Sequence, residues 1–132
     1  MPSFLVPPEV LERIVALRRE LHRHPELSSE EEATAERIAS YLRAIGLQPR
    51  RVAGTGVMVD LPGQHPGPFI ALRADTDALP IHEETELPFA SVTPGVMHAC
   101  GHDGHSSMVF GAAQLLLAGL LDRGGGGEHG EA

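Results

Sequence analysis

The sequence predicts an α/β fold in which two helices are followed by two strands, a long loop and a third helix. Three features of the 132 residues predict it. Apolar residues recur at helical spacing in two stretches near the N-terminus, two strand-like runs flank a Pro/Gly turn, and another helical pattern follows a polar loop. Hydrophobic residues make up 42% of the chain, which is ordinary for a globular protein. We therefore expect one layered domain over residues 1–122.

The first helix is predicted to begin near Pro7-Pro8 and to end at Pro25. Proline is tolerated in a first helical turn but breaks a helix further along. One apolar face is expected, formed by Val10, Leu11, Ile14, Val15, Leu17 and Leu21.

The second helix is predicted over residues 32–47. Ser28 and Ser29 are each followed three residues later by glutamate, which is the signature of a capping box. Gly46 is a natural C-terminal stop. The buried stripe is expected to consist of Ile38, Leu42 and Ile45, with Ala35 and Ala39 beside it.

The strands are predicted at residues 56–61 and 68–73, as antiparallel neighbours joined by a Pro/Gly turn. The third helix is predicted over residues 104–121, with a buried face of Met108, Val109, Ala112, Ala113, Leu116, Leu117 and Leu120. Residues 123–132 contain a glycine run and no large apolar side chain, so we expect a disordered tail.

Charge and composition exclude several classes of partner. The formal net charge of −8 argues against binding to a phosphate backbone, which needs a concentrated basic face. Arg18, Arg19 and Arg23 lie among glutamates, which favours a solvated helix face over a nucleic-acid patch. The N-terminus has no basic region followed by an apolar run, and no stretch is long enough to span a bilayer. Cys100 is the only cysteine, so no internal disulfide is expected. These features predict a cytoplasmic protein without nucleic-acid or membrane partners.

Residues 98–105 carry the densest chemical signal, with three histidines, one thiol and one carboxylate. Thiolate and imidazole are good ligands for zinc and related metals, and Cys100 and His102 can converge if Gly101 permits a tight backbone. Two other interpretations stay open at this point. Asp103 could cap a helix whose neighbouring histidines are partly exposed, or Cys100 could be a nucleophile paired with a histidine.

A second signal is the pair Asp75 and Asp77 at the end of the predicted second strand. Acids two residues apart point the same way in an extended chain, which suits metal binding or the orientation of a metal-bound histidine. Taken alone, the pair is better explained by a capping and turn role beside Pro80.

Together, residues 73–81 and 95–105 resemble consecutive hallmark segments of the M20 peptidase family of metal-dependent amidohydrolases and carboxypeptidases. The relevant branch includes N-acyl amino acid amidohydrolases, hippurate hydrolases and auxin-conjugate hydrolases. Residues 21–28 resemble the segment that opens those enzymes, and the likeness extends over residues 11–121.

The resemblance implies a zinc-peptidase-like α/β domain with two divalent metal ions per site, which are zinc, manganese, cobalt or nickel. It implies that Cys100 and His102 are metal ligands and that Asp77 is the catalytic acid that orients the site. Asp75 lies where other branches place a ligand. The implied substrate is a small N-acyl amino acid or peptide. The remaining pocket positions expected from the resemblance are His98, Asp103 and His105.

The sequence departs from the family after the third helix. Relatives continue with a strand ending in paired glutamates, further histidine ligands, a lid domain and the rest of the sheet, none of which follows here. We therefore expect a truncated or frameshifted N-terminal portion that is inactive alone. Low stability, self-association as a homo-oligomer, or reliance on a complementing polypeptide is expected. The alternative is a non-catalytic metal-binding or interaction remnant.

Overall fold

The computed structural model describes residues 5–119, which form three helices and one small sheet. In chain order the elements are α1 (Pro8–Arg23), α2 (Glu32–Ala44), β1 (Arg50–Val52), β2 (Gly56–Met58) and α3 (His102–Leu117). The predicted fold class is confirmed, and two strands again follow two helices, but they are not the two strands predicted. The third helix was predicted over residues 104–121 and is observed at His102–Leu117, with Ala118 at its C-cap; residues 120–121 and the predicted tail at 123–132 lie outside the described residues. None of the helices within residues 5–119 is long and apolar enough to cross a membrane.

The core lies where α1 packs against both other helices. Leu17 and Leu21 of α1, Leu42 of α2 and Phe110 of α3 form one buried cluster. Fully burying such a side chain contributes roughly 1.5–3 kcal/mol, so this small cluster provides much of the stability of the helical layer. Leu11 and Val15, which the sequence placed on the same apolar face, remain 52% and 37% exposed.

Helix α2 begins at Glu32 as predicted and ends at Ala44, three residues before the predicted end, but its N-terminal cap differs from the predicted one. At its C-terminus Gly46 has φ 89°, and the N–H groups of Gly46 and Leu47 donate to carbonyls of the last turn. This is a Schellman motif. The predicted capping box is wrong, since no serine caps the helix. Ser29 instead has a positive φ, and the carboxylate of Glu26 accepts hydrogen bonds from the first-turn amides of residues 33 and 34.

The predicted strand pair is also wrong. Strand β2 pairs antiparallel with β1, with Arg51 opposite Val57, rather than with residues 68–73. Residues 68–73 form no strand, and Phe69 and Ile70 are almost fully exposed. Their side chains suit a strand, but a strand also needs a neighbour for its backbone groups. None is provided within the described part of the chain.

The buried face of helix α3 overlaps the predicted one only in part: Ala113 is buried as predicted, whereas Val109, Ala112, Leu116 and Leu117 are half-buried. Met108 is 61% exposed, whereas polar side chains such as Ser107 and Gln114 face α1. The C-terminal half of α3 is apolar on nearly every side, so periodicity could not select the buried face. The buried face is set by contacts with α1. Gly111 allows the two helices to approach closely, since a Cβ there would lie 2.5 Å from Ile14, and Gln114 accepts a hydrogen bond from Arg13. The buried residues of α3 are Asp103, Ser106, Ser107, Phe110, Gly111, Ala113, Gln114 and Leu115.

The segment between β2 and α3 has little regular structure, but backbone hydrogen bonds fix it beside the residues of the candidate site. The N–H of Ala78 donates to the carbonyl of Glu26 at 2.8 Å, in a parallel bridge between Leu27 and Ala78. Leu79 and Met97 exchange two backbone hydrogen bonds of 2.9 and 3.0 Å. These bonds hold the acidic segment and the cysteine-histidine segment side by side.

Candidate metal centre

His102 is the residue around which the predicted site residues gather. It is the first residue of α3, and its Nδ1 lies 2.9 Å from Oδ1 of Asp77 and 3.0 Å from the Asp77 carbonyl oxygen. Both oxygens are acceptors, so Nδ1 carries a hydrogen, and Nε2 is the ring nitrogen that takes no part in the contact with Asp77. A histidine that donates one ring N–H to a carboxylate and offers the other nitrogen is the usual form of a metal-binding imidazole.

Asp75 lies on the open side of the same ring. Its Oδ2 is 3.6 Å from Nε2 of His102, which is beyond hydrogen-bonding distance. The other carboxylate oxygen pairs with Arg73, whose side chain is exposed, and the Asp75 carbonyl accepts a hydrogen bond from Ser106. The Asp75 carboxylate oxygen and Nε2 of His102 therefore face each other without forming a hydrogen bond.

Cys100 and His105 are close to His102 along the chain, and both are exposed. The Cys100 thiol is free and exposed, and Gly101 follows it with φ 93°, a left-handed conformation that glycine adopts without strain. The ring of His105 lies 5.5 Å from that of His102, centroid to centroid, and His105 is exposed. The structure thus leaves the thiol exposed two residues before His102 and places a second imidazole ring beside that of His102.

His98 is placed differently, in the interior. It is 4% exposed, and neither ring nitrogen has a hydrogen-bond partner among the described residues. Burial lowers the pKa of this imidazole below its ordinary value; the Asp103 carboxylate opposes the shift and the His22 ring adds to it. His98 therefore lies between the surface site and a second, buried cluster.

The buried cluster has His22 at its centre. Nδ1 of His22 is 2.8 Å from Oδ2 of Asp103, and its Nε2 is 3.0 Å from the carboxylate of Glu83. Nε of Arg18 adds a 2.9 Å contact to the same Asp103 oxygen. Asp103 lies inside α3 and caps nothing, so its predicted capping role is wrong: Gly101 occupies the N-cap position.

Glu83 and the α1 arginines were not identified from the sequence as part of this region. Hydrogen bonds to Glu83 from the Thr85 hydroxyl, the Ser91 backbone N–H and the His22 ring outweigh its burial, which acts in the opposite direction, so the pKa of this carboxyl lies below its ordinary value. The guanidinium groups of Arg18 and Arg19 lie about 5 Å from the Phe89 ring centroid, at 5.0 and 5.1 Å. Arg18 and Arg19 of α1 therefore contact the Phe89 ring and are not only solvated.

A signal for His22 was nonetheless present in the sequence. His22 follows the core residue Leu21 and lies four positions after Arg18, so on a helix it shares a side with a cation at the edge of the apolar face. A buried histidine in that position needs partners for both ring nitrogens.

The donor set suits a divalent metal ion but is incomplete. Imidazole, thiolate and carboxylate are ligands for zinc and related ions. Within residues 5–119, no three His, Cys, Asp or Glu side chains are arranged so that they could already hold a metal ion. The described residues therefore fit one side of a metal centre whose other ligands would have to come from elsewhere.

Comparison with known proteins identifies the class of protein that has this arrangement. The YXEP protein of Bacillus subtilis, described as a dinuclear metal binding peptidase from the M20 family, superimposes with a TM-score of 0.78 at 46% identity. The match covers 82% of this chain and 31% of that one. The fold is thus that of the N-terminal part of a dinuclear metallopeptidase.

Sequence comparison gives the same result. The model of Peptidase family M20/M25/M40 matches residues 71–124. The chain is 53% identical over 109 residues to an N-acyl-L-amino acid amidohydrolase of Geobacillus stearothermophilus, and 52% identical over 105 residues to an N-acetyl-L-cysteine deacetylase of Bacillus subtilis strain 168. The matched segments are 82% and 79% of this chain but 30% and 25% of those relatives. The chain belongs to the M20 peptidase family and corresponds to the N-terminal part of its members.

Proposed function

We propose that this chain carries one side of a two-metal amidohydrolase centre, in which Cys100 and His102 bind a divalent metal ion and Asp77 orients His102. The observation that carries the proposal is the state of the His102 ring. Nδ1 is held at 2.9 Å by the Asp77 carboxylate, while Nε2 makes no hydrogen bond within residues 5–119 and faces Asp75 across 3.6 Å. An imidazole used only for packing or capping does not need one nitrogen bonded to a carboxylate and the other left available to a ligand.

The chemistry of such a site is hydrolysis of an amide bond. A bound divalent metal ion polarises the amide carbonyl and lowers the pKa of a bound water molecule. The residues of this chain contribute ligand positions and orientation: Asp77 keeps the proton on Nδ1 of His102, and the left-handed Gly101 allows the chain to turn between Cys100 and His102.

Small N-acyl amino acids are the proposed substrate class. The support comes from relatives named as an N-acyl-L-amino acid amidohydrolase and an N-acetyl-L-cysteine deacetylase. Because the described residues offer an incomplete donor set, turnover would need further ligands and a general base from outside these residues.

A second function is supported by that same incompleteness. On its own the chain would bind a metal ion without catalysing a reaction, as a non-catalytic module. The two functions share the metal site and differ only in turnover, so one experiment can address both.

Cobalt titration of the purified chain tests the proposal. Cys100 is the only cysteine, so any thiolate-to-cobalt charge-transfer band must come from it. We expect such a band, and we expect Cys100→Ser to abolish it. His65→Gln removes an exposed loop imidazole and is the matched control with an unchanged band. A spectrum that Cys100→Ser leaves intact would rule the metal site out.

Turnover is measured on the same samples. With cobalt, manganese or zinc we expect no hydrolysis of N-acyl amino acids by the isolated chain. Chelator-sensitive hydrolysis that follows the protein through purification would show instead that the chain assembles a complete site. Hydrolysis that is blocked by alkylation of Cys100 and indifferent to chelators would support the thiol-nucleophile interpretation.

A further inference from the structure

A buried histidine bridges two carboxylates from different parts of the chain. The side chains of His22, Asp103 and Glu83 are only 4%, 2% and 3% exposed. His22 lies on α1, Asp103 in the first turn of α3, and Glu83 in the loop between Asp77 and Cys100. The imidazole therefore joins three segments at one point.

The chemistry of the bridge fixes its geometry. An ionised carboxylate only accepts hydrogen bonds, so the arrangement is satisfied when both ring nitrogens of His22 carry hydrogen and donate. The two contacts, at 2.8 and 3.0 Å, are within the range for charge-assisted bonds or close to it. A buried charge without a partner is strongly disfavoured, so displacing any one of the three side chains would leave a buried charge on another without its partner.

The bridge holds the two segments that carry the metal-centre residues. Asp103 directly follows His102, and its carbonyl accepts a 2.7 Å hydrogen bond from Ser107, so its position is fixed from both ends. Glu83 accepts a 2.8 Å hydrogen bond from the N–H of Ser91 and thereby folds the loop back toward α1. His22 touches neither Cys100 nor His102, yet it sets where the start of α3 lies relative to the loop.

From this geometry we propose that His22 is a positioning residue for the metal centre. Through Asp103 it fixes the direction of the first turn of α3, and through Glu83 it fixes the loop, so that His102 meets Asp77 in register. The inference rests on the proposed function, because it assigns a consequence to the placement of the proposed ligands Cys100 and His102.

The test compares His22→Gln with the control His65→Gln in the full 132-residue chain, with cobalt as the probe. Glutamine keeps one donor but cannot bridge two carboxylates. We expect cobalt affinity to fall about 10–100-fold, the range found when groups that support metal ligands are removed. We also expect the visible ligand-field spectrum at saturating cobalt to change in shape. A role in stability alone would lower the folded fraction but leave that saturated spectrum unchanged.

Glu83→Gln is the second variant, since it removes one charge and keeps a hydrogen-bond acceptor for His22. Circular dichroism reports whether each variant folds. The proposal is overturned if either folded variant binds cobalt with wild-type affinity and spectrum. It is also overturned if both variants lose their helical signal, because the bridge would then be a stability element only. If Cys100→Ser fails to remove the cobalt band, the proposed function fails instead, and the two failures are distinct.

Discussion

The interaction between Asp77 and His102 gives the sharpest test of the candidate metal centre. In Asp77→Asn the side chain keeps its size and an oxygen that can accept a hydrogen bond, but it loses its negative charge. The backbone carbonyl of Asp77, 3.0 Å from the same Nδ1, is unaffected. The ring of His102 should therefore keep its orientation, and the loss should be electrostatic.

The expected size of the effect follows from that double contact. Removing a group that supports a metal ligand commonly costs 10–100-fold in affinity. Because one of the two acceptors remains, we expect a loss near the lower limit, about tenfold, which corresponds to about 1.4 kcal/mol. Folding should be nearly unchanged, since Asp77 is only partly buried.

The assay is cobalt titration followed at the thiolate charge-transfer band. Asp60→Asn serves as the control, because Asp60 is 73% exposed and pairs with Arg50 on the small sheet. If Asp77→Asn binds cobalt as tightly as the control, Asp77 is a turn residue beside Pro80 and the reasoning is refuted.

Two further predictions concern the scaffold. Gly101→Ala should destabilise the chain by about 1–2 kcal/mol, because φ is 93° there and an L-residue in the left-handed region is strained; Gly104→Ala, in the helix with no atom within 4 Å of the added Cβ, should stabilise it by about 0.5–1 kcal/mol. Urea unfolding measures both, and equal effects would contradict the assignment of strain to residue 101. Leu17→Ala should cost about 2–5 kcal/mol, because the side chain is 0% exposed, whereas Leu11→Ala on the 52% exposed face should cost less than about 0.5 kcal/mol. Similar losses at both positions would show that the core is not centred on Leu17.

Local signals in the sequence were sufficient for the helices and for the class of fold. Pro8 and Gly46 mark helix ends through their own backbone chemistry, which needs no information from the rest of the chain. The strand at 68–73 could not be judged in the same way. Its residues have the composition of a strand, but pairing depends on a neighbour elsewhere in the chain.

In the candidate site, too, local signals were recognisable in the sequence and contacts between distant residues were not. Cys100 and His102 stand out because their residue types are chemically specific and closely spaced, whereas Asp75 and Asp77 were linked to them only by the resemblance to the M20 family. His22 and Glu83 are separated by 61 residues, and neither belongs to a motif with an evident chemical role. Their pairing depends on how the loop between β2 and α3 lies against α1, which helix periodicity does not specify.

The contacts that assemble the site span long stretches of chain. His22 is 81 residues from Asp103, and Asp77 is 25 residues from His102. Closing such loops costs conformational entropy, so the ligands come together only when the chain has folded. If the proposed site binds a metal ion, metal binding and folding form one linked equilibrium, in which the ion would stabilise the folded chain by its preference for that form. Each tenfold rise in free metal above the Kd would add about 1.4 kcal/mol to the free energy of unfolding. Measured stability would therefore depend on the metal content of the buffer as much as on the sequence.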